Sequence, residues 1–192
     1  RVVPMLYRLK GSTRPLPFIE DIAIPPPQLP DFLVSLQNVL KTHQVTASLF
    51  AHAGHGQLHV RPFLDLANPD DVRKMQELAT DLYERVLEVG GTISGEHGLG
   101  LSRTWFVRRQ YGPMYDLFRE VKRIFDPQNI LNPGKVGAEV PQPLTKNLRT
   151  VTIPASTEGN GATINRKPLV LQLAWTAEEA VYAARNCNGC GR

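Results

Sequence analysis

Apolar and polar positions sort the first 136 residues into alternating and helical runs. Phe18-Ile19-Glu20-Asp21-Ile22-Ala23-Ile24 reads as a strand that Pro25-Pro26-Pro27 terminates, because proline removes the ladder N–H. After Pro30, Phe32, Leu33, Leu36, Val39 and Leu40 repeat at helical spacing. Thr46 to His52 alternates as a strand, Ala53 to Gly56 supplies a turn, and Gln57 to Phe63 runs back as a second strand. Asn68-Pro69-Asp70-Asp71 then opens the clearest helix, with Asn68 as N-cap, Pro69 at the first helical position and two acids at the N-terminal dipole. Its stripe is Val72, Met75, Leu78, Ala79, Leu82, Tyr83, Val86 and Leu87, and Gly90-Gly91 ends it. A short strand at Thr92-Ile93-Ser94 leads into Gly95-Glu96-His97-Gly98-Leu99-Gly100. A further helix starts near Pro113, with Met114, Leu117, Phe118, Val121 and Ile124 on one face. The order β-α-β-β-α-β predicts an α+β fold, a ferredoxin-like split βαβ sandwich with an antiparallel sheet and helices on one face. Extra C-terminal helices and a mostly irregular tail complete the expectation.

Beyond Val136 the texture changes. Residues 137–168 hold Pro141, Pro143, Pro154 and Pro168 among many Gly, Thr and Asn residues and read as a linker. Order returns over 169–192, where Thr176-Ala177-Glu178-Glu179 matches a capping box that opens a short helix. The 192 residues suit one to one-and-a-half domains. Hydrophobic content of 42% and charged content of 21% are those of an ordinary globular chain, which excludes collagen-like, disordered and disulfide-scaffold classes. No apolar run approaches the roughly 18 residues of a membrane span. The start at Arg1 and the stop just after Cys190 suggest a piece of a longer polypeptide.

The net charge of +4 is too mild to indicate nucleic acid. The densest basic stretch, Arg103 to Arg123, carries six Lys/Arg at helical spacing, with no aromatic interleaving suited to base stacking, and reads as a solvated helix face or the rim of an anionic-cofactor site. No nucleic-acid partner is expected. Both cysteines, Cys187 and Cys190, fall in the last six residues, so the cytoplasm is the expected compartment. A Cys-x-x-Cys pair by itself fits a redox motif or half a zinc site equally well.

Chemistry concentrates in two segments. In His52-Ala-Gly-His-Gly-Gln-Leu-His59 a turn brings both terminal imidazoles to one end of adjacent strands. Neutral imidazoles suit a borderline divalent cation, and a carboxylate completes an open three-ligand site. Glu96, in a Gly-flanked loop, is the candidate carboxylate; His55, in mid-turn, is expected to face solvent. Histidines in turns are also common without a metal. His97 is of the residue type suited to accept a proton, although a Gly-rich loop with a surface His has the same composition. Phe125-Asp-Pro-Gln-Asn-Ile-Leu-Asn132-Pro-Gly-Lys135 reads locally as a helix stop with turns.

Together these segments resemble the C-terminal cap domain of FAD-linked oxidases of the vanillyl-alcohol oxidase type, in the D-2-hydroxyacid dehydrogenase branch. The matching stretches are His52–His59, Ile93-Ser-Gly-Glu96-His97-Gly-Leu-Gly and Phe125-Asp-Pro…Asn132-Pro-Gly-Lys135, in family order, with Phe18-Ile-Glu-Asp21 also similar; they cover residues 1–136. The resemblance implies that His52, His59 and Glu96 hold a divalent metal, often zinc, which chelates the substrate's hydroxyl and carboxylate. It implies that His97 takes the hydroxyl proton as hydride passes to flavin N5, and that Asn132 lies near the flavin. Many relatives carry Asp-Gly-Asn where this chain has His55-Gly56-Gln57, so the surroundings of the metal are expected to differ. The terminal cysteines resemble the start of a ferredoxin-type module holding a 4Fe-4S cluster.

The expected partners are then an FAD-binding domain of the same parent chain, a small 2-hydroxyacid and a downstream electron acceptor, with peripheral membrane association through that acceptor. No Gly-rich phosphate cradle is present, so the chain is expected to hold half an active site and neither to bind FAD tightly nor to act alone. Two other classes fit the residues: a self-contained zinc hydrolase using His52, His59 and Glu96 with His97 as base, and a non-catalytic ferredoxin-like interaction module with incidental histidines. The lack of His-Glu-x-x-His argues against common zinc proteases.

Overall fold

Alternation along one central strand decides which side of this molecule is core and which is site. The computed structural model describes residues 12–146 and, outside that span, Leu6, Leu148, Ala174, Thr176, Glu179, Ala183 and Ala184. Strands β1 (Arg14–Pro15), β2 (Ile19–Ala23), β3 (Ala47–His52) and β4 (Gln57–Leu64) form an antiparallel sheet with β4 at its centre. β2 and the two-residue β1 pair along one edge of β4, and β3 pairs along the other. On β4, Leu58, Val60 and Leu64 point into the core, while His59 and Arg61 point to the opposite face.

Helices α1 (Leu29–Thr42) and α2 (Pro69–Glu88) pack on each other, and α2 packs on β2 and β4. Asn68 caps α2, its Oδ1 accepting from the Asp70 N–H at 3.0 Å. Met75, Leu78, Ala79, Leu82, Tyr83 and Val86 are buried, as the stripe predicts, against Phe32 and Leu36 of α1 and the strand side chains. Each Leu, Met, Val or Phe side chain among them contributes about 1.5–3 kcal/mol by leaving water. Leu78→Ala in this core should cost roughly 2–5 kcal/mol.

The architecture is α+β. Of the ferredoxin-like sandwich, the β3–β4 hairpin and the β2–β4 pairing are present, while the expected strand at Thr92–Ser94 is reduced to one antiparallel bridge between Thr92 and Ala23. The reason lies in β2. A bulge between Glu20 and Ile22 puts Asp21 at φ 72° and breaks the regular ladder on that edge, so past the bridge the segment returns to the β2 backbone only through the Gly95 N–H, which donates to the Asp21 carbonyl at 2.8 Å. The Ile93 N–H goes instead to the Gln110 side chain at 3.0 Å. Gly56 closes the β3–β4 turn at φ 69°, and its carbonyl accepts from the Ile24 N–H at 2.8 Å. A Cβ there would stand 1.8 Å from the Ile24 carbonyl oxygen, so only glycine fits.

Two helices follow. Helix α3 (Gly100–Tyr111) falls within the basic stretch, yet the hydrophobic pattern predicts no separate helix there. Its first turn has no side-chain cap, and its buried face includes Arg103 and Thr104 beside Phe106 and Val107, which breaks the apolar period. Helix α4 (Met114–Phe125) begins where Pro113 predicts. Its apolar residues Met114, Leu117, Val121 and Ile124 do share a face, but that face is 47–68% exposed rather than turned to the core. After it, the Tyr115 hydroxyl donates to the Ala138 carbonyl at 2.6 Å, and Leu144 joins the core. Among the described tail residues, the capping box is formed: the Glu179 N–H donates to Thr176 Oγ1 at 3.2 Å and the Thr176 N–H to Glu179 Oε2 at 2.8 Å. Cys187 and Cys190 lie outside the described residues. Among those described, no helix is long and apolar enough to cross a membrane.

Candidate active-site cleft

The face of the sheet opposite the helices carries the polar cluster. In the β3–β4 register Phe50 stands opposite His59, Ser48 opposite Arg61, and His52 opposite Gln57, while Glu20 of β2 flanks His59 from the other side. The hairpin thus brings His52 and His59 together as their spacing predicts, with ring centroids 5.3 Å apart. The loop after Thr92 delivers Glu96 and His97 to the same place. His97 stacks on His59 at 5.3 Å. Ligand-type atoms of His52, His59 and Glu96 all lie within 4.8 Å of one another. These groups, with Glu20, Ser48, Leu49, Phe50, Arg61 and His97, line a cleft of about 400 Å³. His55 is exposed at the hairpin tip and belongs to no ligand cluster among the described residues.

Asp21 fixes the loop. Its carboxylate is completely buried and accepts from Ser94 Oγ at 2.8 Å and from the backbone N–H groups of Gly95, Glu96 and His97 at 3.0, 2.9 and 2.7 Å. Gln57 Nε2 donates to it at 2.6 Å, so the start of β4 acts on this loop through Asp21. Burial alone would raise the Asp21 pKa. The hydrogen bonds from His97, Ser94, Glu96 and Gln57 outweigh it and bring the pKa down to about 2.

Arg103 braces the far side. Its guanidinium donates to the Gly98 carbonyl at 2.7 Å and to the Glu20 carbonyl. At 6% exposure it is neither a solvated-face residue nor a cofactor rim, a correction to the reading of the basic stretch. Other charges of that stretch are also engaged, Arg109 with Glu84 at 2.5 Å and Lys122 with Asp126.

Glu20 and Arg61 form a pair on the cleft floor, Arg61 Nη2 donating to Glu20 Oε1 at 2.5 Å, with both side chains largely buried. The same oxygen is 3.6 Å from His59 Nδ1 and 3.8 Å from His97 Nδ1. His59 Nδ1 is buried without a hydrogen-bond partner. Burial lowers the His59 pKa, opposed by the Glu20 charge, which favours the neutral ring, the form that binds a cation. Two imidazoles and the Glu96 carboxylate with ligand atoms within 4.8 Å of one another are a donor set that fits a borderline divalent ion.

Asn132 is not among the residues lining this cleft. It sits in the loop after α4 at φ 46°, its Oδ1 accepting from Lys135 Nζ at 3.0 Å. Reading the residues in order missed Glu20, Asp21, Phe50, Arg61 and Arg103. The available signals were the alternation that puts Phe50 and Arg61 on the His59 face, and two acids inside an otherwise apolar strand.

Comparison with known proteins gives the family. The chain is 33% identical over 198 aligned residues to D-2-hydroxyglutarate dehydrogenase of Pantoea ananatis, covering 100% of this chain and 18% of that protein. It is 37% identical over 142 residues to D-2-hydroxyglutarate dehydrogenase of Escherichia coli, covering 71% of this chain and 13% of the relative. Glycolate oxidase subunit GlcD of Bacillus subtilis is 31% identical over 135 residues, with 70% of this chain and 28% of the relative covered. The chain therefore spans only a small part of these proteins. Residues 1–136 match the family described as FAD linked oxidases, C-terminal domain, and the chain belongs to that family.

Proposed function

We propose that this chain is the substrate- and metal-binding part of a flavin-dependent dehydrogenase of D-2-hydroxyacids. Residues 1–136 act as the cap, 137–168 as a linker, and 169–192 as the start of an iron–sulfur module. The observation that carries the reading is the convergence of His52, His59 and Glu96 within 4.8 Å, with His97 beside them in one cleft. Family membership favours it over a self-contained hydrolase or an interaction module.

His52, His59 and Glu96 would hold the divalent metal, with zinc the best match to the donor set. When bound, that ion polarises the substrate's hydroxyl and carboxylate as a Lewis acid, and FAD in the rest of the parent protein accepts the hydride. His97, half-exposed at the cleft and stacked on His59, takes the hydroxyl proton. Leu49 and Phe50 supply an apolar wall for the carbon skeleton. A cleft of about 400 Å³ suits a small acid and has room for a flavin edge to close it.

Relatives several times longer than this chain supply the flavin-binding portion. The exposed α4 face, continued by Ile130 and Leu131, is the surface we assign to it, and Asn132 in the same loop then lies toward the flavin. Cys187 and Cys190 would be two of the four thiolates of a 4Fe-4S cluster. The alignment with the Pantoea relative runs past residue 136 through this tail, which supports a continuing module.

The test is made in the complete parent enzyme. His97→Gln should lower kcat by about 10²–10⁴-fold with a smaller change in KM. Glu96→Ala should weaken zinc retention and raise the hydroxyacid KM. Near-normal turnover in His97→Gln rejects the base assignment.

A further inference from the structure

Three overlapping ligand sets lie in the cleft: His52–His59–Glu96, Glu20–His59–His97 and Asp21–Glu96–His97, each with ligand atoms mutually within 4.8 Å. A divalent ion entering the cleft thus meets three seats, two of which would capture His97. The three are not equally open.

Asp21 is saturated. A carboxylate offers about four acceptor positions, and Gln57, Ser94 and the N–H groups of Gly95, Glu96 and His97 already occupy them. Glu20 is closed differently. Its Oε1, the atom facing both His59 Nδ1 and His97 Nδ1, is the one that accepts from Arg61. A guanidinium does not deprotonate, so it keeps a fixed positive charge where a cation would have to sit. Among the described residues, the Glu96 carboxylate and the His52 imidazole carry no hydrogen bond or ion pair, and the remaining set stays open.

We propose that Arg61 is a metal-placement residue: by pairing with Glu20 it closes the Glu20–His59–His97 seat to divalent cations and confines the ion to His52–His59–Glu96. His97 is thereby kept off the metal and free to take a proton. The inference rests on the metal reading above and adds the residue that chooses among the seats. Without Arg61, Glu20 becomes an open carboxylate facing two imidazoles, a seat that does not need Glu96.

That independence from Glu96 is the readout. Zinc affinity of the 192-residue chain is measured at neutral pH by competition with a chromophoric chelator, with circular dichroism confirming the fold of each variant. Glu96→Gln should weaken zinc binding at least about tenfold, as loss of a metal-site group does. Adding Arg61→Met should recover at least about tenfold of it by removing the like-charge repulsion. Adding His97→Gln to that pair should abolish the recovery. Arg61→Lys, which retains the charge, should give no recovery in the Glu96→Gln background. Arg61→Gln still donates to Glu20 without charge and replaces Arg61→Met if the latter does not fold. A folded Arg61→Met, Glu96→Gln chain that binds no better than Glu96→Gln alone overturns the placement role and leaves the metal reading intact. Zinc uptake by the otherwise wild-type chain that ignores Glu96 overturns the metal reading and the placement role with it.

Discussion

Two aspartates each organise a loop in this molecule, and they do so over very different spans of chain. Asp21 gathers Gln57, Ser94 and three backbone N–H groups, all between 36 and 76 residues away. Asp126 gathers the N–H groups of Ile130 and Leu131 at 3.0 and 2.8 Å and the Lys122 ammonium, none more than five residues away. Both carboxyls titrate below the ordinary range. At Asp126 the Lys122 hydrogen bond dominates, against a desolvation cost, and the two amides assist. At Asp21 burial opposes ionisation, and the hydrogen bonds from His97, Ser94, Glu96 and Gln57 override it. The same chemistry closes a local turn in one place and suspends a whole site loop from a strand bulge in the other.

Asp21→Ala should have the largest effect. It strands several buried donors, each costing about 1–3 kcal/mol when unsatisfied, so the total loss should exceed about 3 kcal/mol in urea unfolding. Zinc affinity should fall as well, because Glu96 loses its placement. A loss under about 1 kcal/mol would show that the loop holds itself and would erase the contrast with Asp126.

The pH dependence sharpens the comparison next. Asp21 has a folded pKa of about 2 against an ordinary value of 3.8, so its stabilisation is complete above the unfolded value and is lost as pH falls through the folded one. The stability advantage of wild type over Asp21→Asn should therefore be flat at neutral and mildly acidic pH and shrink between about pH 4 and pH 2. An advantage that grows on acidification would contradict the assigned hydrogen bonds.

Gln57→Ala removes one of the five donors and should cost about 1 kcal/mol while leaving the backbone N–H groups on Asp21. Asp126→Ala should have the smallest effect, a smaller drop in Tm than Asp21→Ala and no change in zinc affinity. Loss of zinc binding in Asp126→Ala would mean that the two loops are coupled, contrary to their separation in the fold.

The contrast also explains which parts of this protein were legible in one dimension. Short-range physics repeats along the chain, so the α2 stripe, its Asn68 cap, the Thr176–Glu179 capping box and the His52-turn-His59 hairpin are all readable as patterns. Glu96 could be singled out from its Gly-flanked loop as the candidate carboxylate, but nothing local relates residue 96 to residue 59, and the resemblance supplied the rest of the warrant for their convergence. Helix α3 escaped because its buried face is built around Arg103, whose partners are the carbonyls of Gly98 and of Glu20, 83 residues away. The α4 stripe was legible as amphipathic, but not as exposed, since periodicity states that a face is apolar and not what covers it.

By itself, then, the sequence determined the α+β class, the core stripe and the pair of imidazoles, since each follows from spacings within a turn or a hairpin. Tertiary structure alone decided that the strand expected at Thr92–Ser94 would be a single bridge and that a bulge would turn the Asp21 carboxylate onto the Ser94–His97 loop. It also decided that Arg61 would reach Glu20 across neighbouring strands. The physical reason is that charges are placed by register and burial: a carboxylate in a strand has the same local signature whether it meets water, five donors or a guanidinium, and only the packed sheet chooses among them.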